Sequence, residues 1–465
     1  MGPSFYKNDM KKYLYIIAIV FCNLQSVAQF EPQRIISTEA DGSRIICAAD
    51  VDGDGAIDIL SANKFGENLT WYKNLDGLGN FGGQNIIAEL GDAIHVHAAD
   101  LDGDGDMDVL AVSYYFDMVV WYENLDGHGN FSTARIISNI ADGPYRVIAA
   151  DIDRDGDMDV ISGSDNTGIA WYENIDGNGN FGPTRVINAF APNARSITTA
   201  DIDGDGDMDV VGSTSGSVTV AWYENLDGLG SFGPQQTITT NGLSVEPIFT
   251  IDIDGDGDID VIAATGGADK VAWYENLDGL GNFGSENIII DNLLGAHSIY
   301  SSDLDNDGDN DILATGGGAF DGEVVWFENL DGQGSFGAKN VISTEVQFSR
   351  SIIAADIDND GDMDVIASSQ NDDKIAWYEN ITIIGIEENE LNNLNIYPNP
   401  TKGLVFISSE TETIIGITVF DVLGKKVLQL DGNIQQMDIS TLQRGMYFLR
   451  ITADDRNFVE KIIKE

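Results

Sequence analysis

The chain has 465 residues, with 24 Lys and Arg against 77 Asp and Glu, a formal net charge of -53 at pH 7. Phosphate backbones and anionic membrane surfaces repel so acidic a protein, which excludes nucleic-acid binding as a function class. A hydrophobic content of 43% excludes a disordered acidic tail, so the charge must sit on folded units, and the length allows two or three of them.

Lys11 and Lys12 precede the apolar run Tyr13 to Cys22, which is too short to span a bilayer but suits a signal-peptide core. Ser26, Val27 and Ala28 supply small residues for cleavage before Gln29, so residues 1–28 are expected to be a signal peptide, with Met10 a candidate start. Cys22 lies inside this segment, which leaves Cys47 a lone thiol, expected to be buried. No other apolar stretch reaches about 18 residues, so no transmembrane helix is expected and the mature chain should be exported and soluble.

From Asp50 onward the chain repeats. The pattern D-x-D-x-D-G-x-x-D starts at Asp50, Asp100, Asp151, Asp201, Asp252, Asp303 and Asp356. Each copy is followed by W-[YF]-[EK]-N, at Trp71, Trp121, Trp171, Trp222, Trp273, Trp326 and Trp377, which are all the tryptophans of the chain. After the first six comes a D-G-x-G-[NS]-F turn and a short strand-like run such as Arg135-Ile136-Ile137. One unit therefore reads as four strands: an apolar run into the first Asp, Asp108 to Val112, a run through Trp121, and Ile136-Ile137. Four antiparallel strands per ~50 residues predict a propeller blade. Seven units predict an all-β, seven-bladed propeller over residues 29–380. The seventh unit stops at Asn380 without its turn and outer strand, whereas Phe30 to Ser37 resembles Phe181 to Asn188. The N-terminal strand should therefore complete the last blade and remove an exposed sheet edge.

Positions 1, 3, 5 and 9 of each loop are Asp and position 6 is Gly. Alternating carboxylates about a Gly-enforced turn converge on one point, a set of hard oxygen ligands suited to calcium, with a backbone carbonyl available at position 7. The expected ligands are Asp50, Asp52, Asp54 and Asp58; Asp100, Asp102, Asp104 and Asp108; Asp151, Asp153, Asp155 and Asp159; Asp201, Asp203, Asp205 and Asp209; Asp252, Asp254, Asp256 and Asp260; Asp303, Asp305, Asp307 and Asp311; and Asp356, Asp358, Asp360 and Asp364. Ala56, Arg154 and Asn310 fall on positions that give no side-chain ligand, so up to seven structural Ca²⁺ are expected. The tryptophans are read as blade-to-blade packing rather than as sugar platforms. These loops resemble the FG-GAP and VCBS repeats found in the integrin alpha-subunit propeller, in some bacterial secreted proteins and in fungal lectins. The resemblance implies calcium in the hairpin between the first two strands of each blade, and it does not carry integrin function with it.

Residues 381–393 read as a linker and residues 394–465 as a small β-sandwich, with strands at Val405 to Ile407, Ile417 to Phe420, Lys426 to Leu428 and Tyr447 to Ile451. Asn395 to Pro400, Phe420 to Lys425, Gly445 to Leu449 and the ending Lys461 to Lys464 resemble the C-terminal sorting domain of the type IX (Por) secretion system. That resemblance implies recognition by the type IX machinery and a secreted or outer-membrane surface location.

Ligand-binding residues are sought where the repeats differ. Six residues before each loop stand Arg44, Ile94, Tyr145, Arg195, Glu246, His297 and Arg350, with His95 and Arg146 adjacent. They should ring the channel mouth opposite the acidic loops, where Arg44, His95, Tyr145, Arg146, Arg195, His297 and Arg350 would hold an anionic group such as a uronate or sulfate. The expected function is a monomeric, non-catalytic binding or adhesion protein for glycan or protein ligands. Two other readings stand beside it: a polysaccharide lyase, in which Tyr145 or a His abstracts a proton while Arg neutralises the carboxylate, and a purely structural surface component.

Overall fold

The computed structural model describes residues 29–189, 191–214, 219–240, 245–381, 394–409, 414–421, 425–432, 434–453 and 456–465. The leader expected at 1–28 and the linker expected at 381–393, except its first residue, lie outside these. The chain divides into two compact units, one within Ala28–Ile383 and the other within Ile384–Glu465. Among the described residues there is no helix, and none that could cross a membrane.

The first unit consists of seven four-stranded antiparallel sheets, the expected blades. The second blade is typical: innermost strand Ala93–Ala99, second strand Asp108–Ser113, third strand Met118–Tyr122 and outer strand Arg135–Ser138. Second strands are buried along their whole length, because they are covered by neighbouring blades on both faces. Ring closure follows the sequence reading. Strand Arg34–Ser37 pairs with Lys374–Tyr378, placing Arg34 opposite Trp377 and Ile35 opposite Ala376. Phe30 bridges Asn380 as Phe81 bridges Asn74, so the seventh blade is an ordinary blade whose outer turn has been cut open to release the chain ends.

Two repeated residues clamp each blade to the one before it. All seven tryptophans are buried, between 0% and 7% exposed. Against six of them lies the second glycine of the next blade's D-G-x-G turn, Gly129 on Trp71 and Gly179 on Trp121 for example, at a φ of 69° to 78° and with no room for a Cβ. The turn therefore needs glycine twice over, for its left-handed backbone and for its contact with the indole. The asparagine of W-Y-E-N is the second clamp. Its Nδ2 donates to the position-2 carbonyl of the preceding loop in every blade, as Asn124 does to Val51 at 2.8 Å and Asn225 to Ile152 at 2.9 Å. Across the ring's seam Asn74 donates to Ile357 at 2.8 Å. Core clusters accordingly mix adjacent blades, as where Leu60 and Trp71 pack with Val96, Val109 and Tyr122.

The second unit is a sandwich of two antiparallel sheets. Leu394–Tyr397, Leu404–Ser409 and Gln436–Asp438 form one, and Lys426–Asp431, Ile414–Asp421, Gly445–Ala453 and Arg456–Lys464 form the other. Alternate residues Val405 and Ile407, Ile417 and Val419, and Tyr447, Leu449 and Ile451 meet in one core. The strands at Leu394–Tyr397, Gln436–Asp438 and Arg456–Lys464 were not expected from sequence.

Candidate functional site

Each acidic loop is built by its own backbone. Position 4 has a left-handed φ of 57° to 76° and position 6 one of 87° to 98°. The first is a region that Arg154, Asn306 and Asn359 also occupy; the second is left to glycine. The position-1 carboxylate accepts the position-6 amide, as Asp100 does from Gly105 at 3.0 Å. The position-9 carboxylate is fully buried and accepts two amides, Asp108 taking those of Leu101 at 2.9 Å and Asn124 at 2.8 Å. Positions 1, 3 and 9 thereby bring carboxylate oxygens within 4.8 Å of one another in Asp50, Asp52 and Asp58, in Asp100, Asp102 and Asp108, in Asp201, Asp203 and Asp209, and in Asp252, Asp254 and Asp260; in the third loop Asp151, Asp153 and Asp155 do so. Position 5 is exposed in every loop.

Such clusters can hold a metal ion, and the electrostatics favour one. Burial pushes the carboxyls of Asp58, Asp108, Asp159, Asp209 and Asp260 up to about 7, and those of Asp311 and Asp364 up to about 8. Burial, followed by the neighbouring position-5 carboxylate, also raises Asp102, Asp153, Asp203 and Asp254. The buried Oδ1 atoms of Asp102, Asp153, Asp254 and Asp358 have no protein hydrogen-bond donor. Desolvated carboxylates packed this closely repel one another unless a cation lies among them.

At the opposite ends of the innermost strands the chain forms a second feature. Arg44, His95, Tyr145, Arg146, Arg195, His297 and Arg350 all line one cavity, together with Ile94 and Pro247. A backbone irregularity positions them: pairing skips one residue between Ser43 and Ile45, between Pro144 and Arg146, between Ala194 and Ser196, and between Ser349 and Ser351. Arg44, Tyr145, Arg195 and Arg350 are thus the extra residues of β-bulges, which turn their side chains out of the sheet and towards the mouth. Tyr145 lies between two guanidinium groups, Arg44 at 4.8 Å and Arg195 at 5.0 Å from its ring centre, and Arg44 also donates to its hydroxyl. Arg350 stacks on Phe348 at 4.4 Å and lies 3.5 Å from His297 Nδ1. Burial brings the Arg146 guanidinium down to about 10 and, with Arg146 nearby, His97 below it in the channel down to about 4. Burial first, then Arg146, holds His95 well below its ordinary value. The buried Nε of Arg146 and Nδ1 of His95 have no protein hydrogen-bond partner. The enclosed space is about 40 Å³, enough for a small charged group but not for a sugar ring.

Sequence reasoning missed the outer shell of this mouth. Asp165 ion-pairs with Arg195 at 3.7 Å and accepts the Tyr114 hydroxyl at 2.5 Å, while Tyr114 packs edge-on against Tyr145. Gln370 accepts from Arg350 at 3.2 Å. Tyr114, Asp165 and Gln370 share a column, fourteen residues after the first Asp of their loops, where the repeats also differ. Scanning that column would have found them. Cys47 sits on an innermost strand and is half-buried rather than buried, packed against the cluster of Leu60, Trp71 and Val96.

The FG-GAP-like repeat model matches six overlapping segments, 50–111, 100–162, 153–212, 201–263, 252–314 and 303–367, and a secretion system C-terminal sorting domain matches 395–465. A curated relative, ulvan lyase NLR42 of Nonlabens ulvanivorans, is 24% identical over 140 residues, which is 29% of this chain and 24% of that protein. The chain thus spans about a quarter of that relative's length. Among solved structures, the BBS1N chain of a complex with ARL6DN aligns over 77% of this chain and 98% of its own with a TM-score of 0.52 at 10% identity. PorZ of Porphyromonas gingivalis, a surface component of the type IX secretion system, aligns over 88% of this chain and 58% of its own with a TM-score of 0.45 at 13% identity.

Proposed function

The chain belongs to the FG-GAP-like repeat family and ends in a secretion system C-terminal sorting domain, and from that premise we propose a calcium-stabilised propeller, exported by the type IX system, that binds an anionic glycan at its channel mouth without transforming it. The sorting domain supports export to the medium or the cell surface. The raised carboxyls of the acidic loops, with donorless Oδ1 atoms at Asp102, Asp153, Asp254 and Asp358, support calcium, for which all-oxygen donors without His or Cys are the fitting set. Bound there, the ions would pin the first hairpin of each blade that holds one and take no part in ligand chemistry.

The convergence of four guanidinium groups on one small cavity, in a protein of net charge -53, is the observation that carries the binding reading. The space fits a carboxylate or sulfate group, with the sugar lying across the rim where Tyr115 and Phe116 are exposed. Titration calorimetry with uronate-bearing and sulfated polysaccharides tests it. Arg44→Ala with Arg195→Ala is expected to weaken binding at least tenfold; equal binding of a neutral glycan, or unchanged affinity in the double variant, would sink the reading.

A lyase is the second reading, favoured by one observation, the Tyr145 ring held between two arginines, one of which donates to its hydroxyl, beside His95. Tyr145 would take the C5 proton next to a uronate carboxylate that the arginines neutralise, while the C4–O bond to the neighbouring sugar breaks, a C4–C5 double bond forms and the departing oxygen takes up a proton. The partial likeness to an ulvan lyase supports testing it. Absorbance growth from unsaturated uronate that is lost in Tyr145→Phe would establish this reading, and a flat trace at saturating glycan would dismiss it.

A further inference from the structure

The first acidic loop differs from the other six at the residue beside its position 3. W-Y-E-N supplies a glutamate there in six blades, Glu123, Glu173, Glu224, Glu275, Glu328 and Glu379, whereas the first blade has Lys73. The ammonium is turned into the loop. Lys73 Nζ lies 2.9 Å from Asp54 Oδ2 and also ion-pairs with Asp52, the carboxylates of positions 5 and 3 and so two of the four expected metal ligands. Two more changes accompany it: Ala56 removes the position-7 carboxylate, and His128 from the next blade sets Nδ1 2.9 Å from the Asp52 carbonyl. Arg154, the other basic residue of these loops, reaches the position-7 carboxylate of the next loop, Asp207, and leaves the ligand positions untouched.

We propose that the Lys73 ammonium takes the place of the divalent cation in the first blade, so that the ring carries six calcium sites rather than seven. The proposal rests on the calcium reading given above. Counted along the sequence, the first loop and the residue beside it bring four carboxylates and an ammonium, whereas the fifth loop brings five aspartates and, beside it, Glu275. An ammonium already within ion-pair distance of positions 3 and 5 occupies their lone pairs and repels an incoming cation. The loop keeps its shape, since Asp50, Asp52 and Asp58 still converge and Asp58 still accepts the amides of Val51 at 3.2 Å and Asn74 at 2.7 Å. It therefore holds its hairpin at any calcium concentration, while the other six depend on the ion.

Calcium counted on the full chain, stripped with chelator, reloaded and measured by equilibrium dialysis with atomic emission, tests this. Six ions are expected for the wild-type chain and seven for Lys73→Glu. Lys73→Gln, which removes the ammonium without adding a carboxylate, is the control should Lys73→Glu not fold, and it too should gain one. Asp52→Asn should leave the count at six, whereas Asp102→Asn should lower it to five. Seven ions in the wild-type chain, with one lost in Asp52→Asn, overturn the proposal; so does a folded Lys73 variant that gains none. A wild-type chain that takes up no calcium brings down the calcium reading and the proposal together, which distinguishes that failure from an excess ion.

Discussion

At the residue scale, repetition made roles legible and departures from it marked the site. The W-Y-E-N tryptophans were recognisable as packing residues because they recur in every unit, and the mouth residues because they do not. The β-bulge that presents Arg44 and Tyr145 left no such trace, since an inserted residue shifts the alternation by one place within a run too short to reveal it. Gly230 shows how little freedom the recurring positions have. It has a φ of 78° and lies directly on the Trp171 ring, so Gly230→Ala must strain the backbone and displace the indole; chemical denaturation should report a loss of about 2–4 kcal/mol. His97 supplies a pH dependence. Its folded-state pKa of about 4 is below the ordinary value of 6.5, through burial and then Arg146, so the folded state refuses a proton that the unfolded chain accepts. The associated stability is fully present above pH 6.5 and is lost as pH falls through 4, an effect on the order of 3 kcal/mol. Melting curves of the wild-type chain and His97→Gln, compared from pH 7 down to 4, should diverge in that window; parallel curves would contradict the assignment.

At the element scale, the four-strand blade could be read from alternation and turn residues, and closure from the missing turn after Asn380. In the sorting domain, Gln436–Asp438 is too short to show alternation, and Arg456–Lys464 mixes charged and apolar residues without a clean period, so both escaped notice. Their pairing is decided by the neighbouring strands Leu404–Ser409 and Gly445–Ala453. The closing strand is the most exposed to test. Deleting residues 29–37 leaves Lys374–Tyr378 as a bare edge and uncovers Trp377, on which Arg34 stacks at 4.9 Å. The shortened chain should melt at lower temperature, show red-shifted tryptophan emission and self-associate in light scattering. A monomeric, equally stable truncation would mean that the seam contributes nothing.

At the scale of the whole molecule, the acidic composition and the fold explain each other, because the carboxylates are concentrated at one corner of every blade. Chelation should therefore act on the entire ring. A bound ion contributes about 2.7 kcal/mol at a hundredfold excess over its Kd, so removing several should lower the melting temperature by more than ~10 °C. Calorimetry with and without chelator, followed by calcium restoration, measures this, and coincident traces would refute structural calcium. The seam has a temporal consequence as well. Arg34 finds Glu379, its ion-pair partner 345 positions later, only once nearly the whole propeller has emerged from whatever machinery delivers it. Until then the opening strand must wait unpaired while blades accumulate behind it, so the finished molecule locks in a single late event, and a chain interrupted before residue 374 has no means of completing the circle.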